Sequence, residues 1–288
     1  MATEDELLQD ILEKDPEILL LGEIHSETTE FRARVLELLP KLQTWGFRTL
    51  AIELPEDMRA DVEKYCLASD GFGELLTAIG GAAGFDEKLS LAIRSWVTCG
   101  GSLCFANCAD PTTVTRTNDA GRDQYMCDKL SEFEGKVVAL LGDAHCQVRS
   151  NKTTYFENFD SESDEKDQCF EFRSAAEKLK EKGLRIYTFL EFSFLNDYSR
   201  KKDYVSKLML KSEMDPHLST IKNTCHAGEG HVLAPELHKQ HFFWNPSEVD
   251  AIYINDYEPA PPDMKGFSRK LKELKGKRIA AMEGEEEY

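Results

Sequence analysis

Apolar residues fall along this chain in two patterns. Short runs with little polar interruption occupy residues 18–22, 48–54, 102–108, 136–142, 184–190 and 249–255. Such runs, bounded by turn residues, mark strands buried on both faces. Asp15-Pro16 precedes the first, Pro55 closes the second and Asp110-Pro111 ends the third. Between them apolar positions recur at helical spacing. Residues 28–45 place Phe31, Val35, Leu38, Leu39 and Leu42 on one side, and Gly46 supplies a C-terminal cap. Residues 58–67 and 89–97 read as helices, as do 122–133, with Tyr125, Met126 and Leu130 inward, and 170–182, stopped by Gly183. Residues 151–167 read as a polar loop. The alternation predicts an α/β fold, a mostly parallel sheet with helices on both faces. Ligands of such sheets bind beyond the C-terminal ends of the strands. Residues 195–248 fit this scheme poorly and read as an insertion covering one edge or part of the site. The expected organisation is a single α/β hydrolase-like domain over 1–264, then a basic helix and acidic tail over 265–288.

Composition narrows the picture. With 288 residues, 41% hydrophobic and 10% aromatic, the chain can bury a sizeable core and is not globally disordered. A net charge of −18 repels phosphate backbones and anionic membrane surfaces, which argues against nucleic acid or membrane as partner. The acid is densest in 157–167 and 283–287, read as solvated loop and tail. No apolar stretch approaches the ~18 residues a membrane span needs. The start, Met1 to Glu6, lacks the basic residues and apolar core of a signal peptide. The eight cysteines therefore read as reduced thiols of a cytoplasmic protein. Cys104 and Cys108 have a spacing that suits half a zinc site, but no second pair lies near them in sequence.

The candidate chemistry stands where the strands end. The first strand runs into Gly22-Glu23-Ile24-His25, the second carries Glu53, and the fourth runs into Gly142-Asp143-Ala144-His145. Apolar strands seldom carry ionisable groups unless these are paired or functional. Glu23 and His25 are two apart, so in extended chain they point the same way. A cluster of Glu and His can run general acid–base catalysis, since imidazole titrates near neutrality. It can equally hold a divalent metal such as zinc or manganese. The favoured reading is catalytic and uses no cofactor, with divalent metal as the alternative. Cys146 follows His145 directly, and adjacent strand residues diverge, which argues against a Cys–His pair. Cys225, His226, His231, His238 and His241 form a second His/Cys-rich segment, readable as a metal site, as a contribution to the active site from a covering loop, or as surface residues.

The Gly22 to His25 segment, the helix after it, Glu53 before Leu54-Pro55, and Gly142 to His145 together resemble the erythromycin esterase / ChaN-like superfamily. That group includes Tiki and TraB-type proteins and the Ras/Rap1-specific endopeptidase domain of bacterial toxins. Arg122-Asp123-Gln124-Tyr125-Met126 is similar to its Arg-led helix, and residues 250–255 to its last strand, so the resemblance spans about residues 15–258. It implies a hydrolase of ester or peptide bonds, including site-specific endopeptidases, with Glu23, His25, Glu53 and His145 catalytic and Arg122 holding a substrate anion or oxyanion. The substrate is then a small-molecule ester or a protein. The ChaN-like branch implies a different role, a non-catalytic module for haem or a protein partner.

Overall fold

The computed structural model describes residues 2–23, 30–68, 74–75, 86–107, 119–148, 153–157, 168–193, 208–214 and 249–255. Nine strands lie among them: β1 (Ile18–Glu23), β2 (Phe47–Pro55), β3 (Ser102–Asn107), β4 (Lys136–Gly142), β5 (Thr153–Glu157), β6 (Gln168–Phe172), β7 (Ile186–Ser193), β8 (Leu208–Leu210) and β9 (Ala251–Asn255). Five helices matter here: α1 (Glu4–Lys14), α2 (Glu30–Thr44), α3 (Glu87–Thr98), α4 (Asp119–Ser131) and α5 (Ala175–Glu181). The main sheet has the order β3-β2-β4-β1-β7-β9-β8, parallel throughout except for β8, which runs antiparallel on the β9 edge.

Strand alternation divides the core in two. Leu19 and Leu21 of β1, Leu50 and Ile52 of β2, and Phe189 of β7 face α1, α2 and α3, where Ile11, Phe31, Val35 and Trp96 meet them. Leu20, Ala51, Ala139 and Leu141 face the other way, against Met126 and Leu130 of α4 and Leu179 of α5. Helices therefore cover both faces, and the chain is an α/β fold. Every side chain at a strand's C-terminal end inherits one of these faces from the alternation.

Some elements differ from the sequence expectation. Residues 170–182 are not one helix. Ser174 caps α5 reciprocally with Glu177, so the helix starts at Ala175 and the residues before it form β6. β6 pairs antiparallel with β5, which lies within the stretch read as a polar loop. Thr153-Thr154-Tyr155-Phe156 carries β-branched and aromatic residues, and local strand preference outweighed the polar neighbours. The chain's first helix had no place in the expectation either. Thr3 and Glu6 form its capping box, and Leu7, Leu8 and Ile11 are its buried stripe. Asp143 to Cys146 is a helical turn after β4 rather than a strand end. Residues 265–288 and most of 195–248 lie outside the described residues. No described helix is long and apolar enough to cross a membrane.

Candidate active site

Glu53 leaves β2 on the α4 face, one position beyond Ile52 and level with the end of β4. Its Oε2 accepts the backbone N–H of Gly142 at 2.6 Å. Its Oε1 accepts from Arg122 Nη2 on α4 and lies 3.7 Å from His145 Nε2. Arg122 is aimed by a second acceptor, since its Nε donates to Asn107 Oδ1 at the end of β3, 3.1 Å away. The side chain of Arg122 is 27% exposed against 9% for Glu53, so Arg122 is the more open member of the pair.

His145 rides on the turn after β4 and is buried. Its Nδ1 lies 3.0 Å from Asp123 Oδ1, which also accepts the backbone N–H of Ala175 at 2.6 Å. Burial alone favours the neutral imidazole. The carboxylate of Asp123 opposes it, the Arg122 cation sides with burial, and Glu53 sides with Asp123. The balance raises the His145 pKa above its ordinary value. Cys146, on the same turn, is pushed well above the usual thiol range by burial, with Asp143, Glu53 and Asp123 acting in the same sense. A thiol so held stays protonated and is a poor nucleophile.

Glu23 ends β1 on the opposite face. It follows Leu19 and Leu21 in alternation and meets α2, where Arg32 donates to both its oxygens, Nε to Oε2 at 2.7 Å and Nη2 to Oε1. Arg32 Nη1 also lies 3.9 Å from Asp86, the N-cap of α3. Glu23 is level with Gly142 across the β1–β4 ladder. So Glu53, His145 and Arg122 form one connected cluster, and Glu23 belongs to an adjoining ion pair behind the same sheet edge. His25 lies outside the described residues, as do Cys225, His226, His231, His238 and His241.

Asp123, Asn107, Arg32 and Glu191 were not singled out from the sequence. Asn107 and Glu191 each stand at the C-terminal end of a strand, so the strand-end argument applies to them as well. Glu191 is buried on β7, one step beyond the Leu190–Gly22 register pair and on the Glu23 face. Asp123 follows Arg122 directly but needed the fold to bring it to His145.

Among the described residues, no group of three or more His, Cys, Asp or Glu side chains converges to hold a metal ion. The available carboxylates already face cations or N–H groups: Glu53 faces Arg122 and Gly142, Glu23 faces Arg32, and Asp123 faces His145 and Ala175. Among the described residues, these carboxylate oxygens are not turned to one point as a divalent ion requires.

No protein-family model and no curated protein matches the sequence. Among solved structures the chain is similar to RRSP, a MARTX toxin effector domain from Vibrio vulnificus CMCP6, with 19% identity and a TM-score of 0.38 over 51% of this chain and 31% of that one. It is similar to a structure described as bacterial protein toxins, with 18% identity and a TM-score of 0.43 over 65% and 37%. It is also similar to ChaN of Campylobacter jejuni, described with cofacial haem binding, with 12% identity and a TM-score of 0.43 over 88% and 92%. The chain spans about a third of the toxin structures it matches. A toxin effector domain and ChaN are thus both among its structural neighbours.

Proposed function

We propose that this protein is a hydrolase of ester or peptide bonds, a class that includes site-specific endopeptidases, working by Glu/His acid–base chemistry. One observation carries the reading: a single carboxylate, Glu53, faces both the buried imidazole of His145 and the partly exposed side chain of Arg122 at the C-terminal edge of a parallel sheet. In the proposed reaction a water lies against His145 Nε2 and Glu53. His145 takes its proton as the oxygen attacks the substrate carbonyl, and Glu53 aligns it. Arg122, the exposed member, stabilises the oxyanion or holds an anionic part of the substrate. The imidazolium then returns the proton to the departing alcohol or amine, so that the C–O or C–N bond breaks and a carboxylic acid is released. Glu23 and His25 complete the proposed set. Glu23 acts with Arg32 on the sheet face opposite Glu53, and His25 is two residues further along the sequence.

Turnover of p-nitrophenyl butyrate and of fluorescein-labelled casein tests this. Glu53→Gln should lower turnover of the accepted substrate by about a hundredfold or more, and activity should survive a chelator. Activity abolished by chelation and restored by zinc or manganese would contradict it. A protein that turns over neither probe and carries a Soret band would replace this reading with haem binding.

A further inference from the structure

We infer that Asp123 is the positioning residue of the site: it holds His145 through Nδ1–H and so makes Nε2, on the Glu53 side, the nitrogen that exchanges protons with the substrate. Its catalytic consequence rests on the hydrolytic reading above, whereas the hold on His145 does not.

One oxygen of Asp123 serves two partners. Asp123 Oδ1 accepts the Ala175 N–H at 2.6 Å and lies 3.0 Å from His145 Nδ1. A carboxylate oxygen donates nothing, so the hydrogen of the second contact belongs to Nδ1. This fixes the tautomer, and in the neutral ring Nε2 is then the acceptor. Nε2 lies 3.7 Å from Glu53 Oε1, beyond a direct hydrogen bond and within reach of a water bonded to both.

The second oxygen shows why the residue is an acid. Asp123 is fully buried, and its Oδ2 has no hydrogen-bond partner among the described residues. A residue needed only to anchor the start of α5 at Ala175 could be a neutral asparagine. A buried charge with one oxygen unmatched is costly unless a cation stands beside it. Of the two groups hydrogen-bonded to Asp123 among the described residues, only the His145 ring can carry positive charge. Among the described residues, the other charged groups acting on that ring are Arg122 beside Asp123 on α4 and Glu53 from β2. Asp123 is thus built to stabilise the imidazolium that forms when His145 accepts a proton.

The experiment pairs Asp123→Asn with the wild-type protein. Asparagine keeps the shape and an acceptor for Ala175 and removes the charge. In the wild type, imidazole nitrogen shifts should report the Nδ1–H tautomer for neutral His145. In the variant, the His145 titration midpoint, followed by proton NMR, should fall by about one to three pH units. For p-nitrophenyl butyrate or labelled casein, kcat should fall by about tenfold or more with KM little changed, and the rising limb of the pH profile should move down with the His145 midpoint. An Nε2–H tautomer in the wild type overturns the inference even if the variant does not fold. So does a folded variant whose His145 titrates as in the wild type. Absence of turnover in both proteins would sink the hydrolytic reading alone, because the NMR arm still decides what Asp123 does.

Discussion

Replacing Gly22 with alanine should cost stability and displace His145 at the same time. Gly22 sits in β1 between Leu141 of β4 and Leu190 of β7, under the turn that carries His145. A methyl group there would lie 2.6 Å from Leu190 Cδ2, 3.0 Å from Asp143 Cα and 3.0 Å from Cys146 Cβ. Carbon atoms normally rest about 3.5–4.0 Å apart. The Leu190 tip can rotate, although it is buried. Asp143 Cα and Cys146 Cβ cannot rotate away, so the turn itself must retreat by roughly half an ångström or more. Overpacking by one methyl in a filled core costs about 1–3 kcal/mol. In a chain of this size that lowers the melting temperature by about 2–4 °C per kcal/mol. The retreat also lengthens the His145 contacts, and a displacement approaching 1 Å costs on the order of a hundredfold in rate. Urea unfolding gives the stability loss, and turnover of the accepted substrate by the folded variant gives the rate loss. An alanine variant matching the wild type in both would show that the turn is not packed on β1 as described.

Other expectations follow from the same structure. Arg32→Ala removes the cation beside the buried Glu23 carboxylate and should cost about 3–5 kcal/mol in urea unfolding; a loss below about 1 kcal/mol would show that the pair is not buried. The raised pKa of His145 makes its contribution to stability fully present below about pH 6.5 and lost as pH rises through the folded value. The stability difference between wild type and His145→Gln should therefore shrink from pH 6 toward pH 9, and a difference that grows over that range would reverse the sign assigned to Asp123 and Glu53. Among the described cysteines, Cys99 is exposed and should react at once with a thiol reagent, whereas Cys66, Cys104, Cys127 and Cys146 should wait for unfolding; burial holds Cys104 up at about 12.

The parallel sheet was legible because its strands are buried on both faces and so read as unbroken apolar runs. Strand ends were legible because Glu53 and the Gly142 to His145 segment interrupt those runs with polar groups. Sequence spacing could not show which face each residue takes relative to its neighbours in space. Glu23 and Glu53 stand at similar strand ends, yet alternation turns one to Arg32 on α2 and the other to Arg122 on α4. Asp123 was hidden for a different reason. On a helix it looks like any polar position, and only packing against the β4 turn and the start of α5 gives it His145 and Ala175 as partners. The β5–β6 hairpin was missed because its strands flank an acidic stretch whose composition dominated the reading.

The most direct test of the central claim is the pH profile of turnover for the wild type beside His145→Gln, with p-nitrophenyl butyrate and labelled casein as probes. If His145 is the base, wild-type turnover rises with pH through a midpoint above about 6.5, and the glutamine variant, folded, loses about a hundredfold or more together with that limb. A glutamine variant that keeps both the rate and the limb would contradict the account.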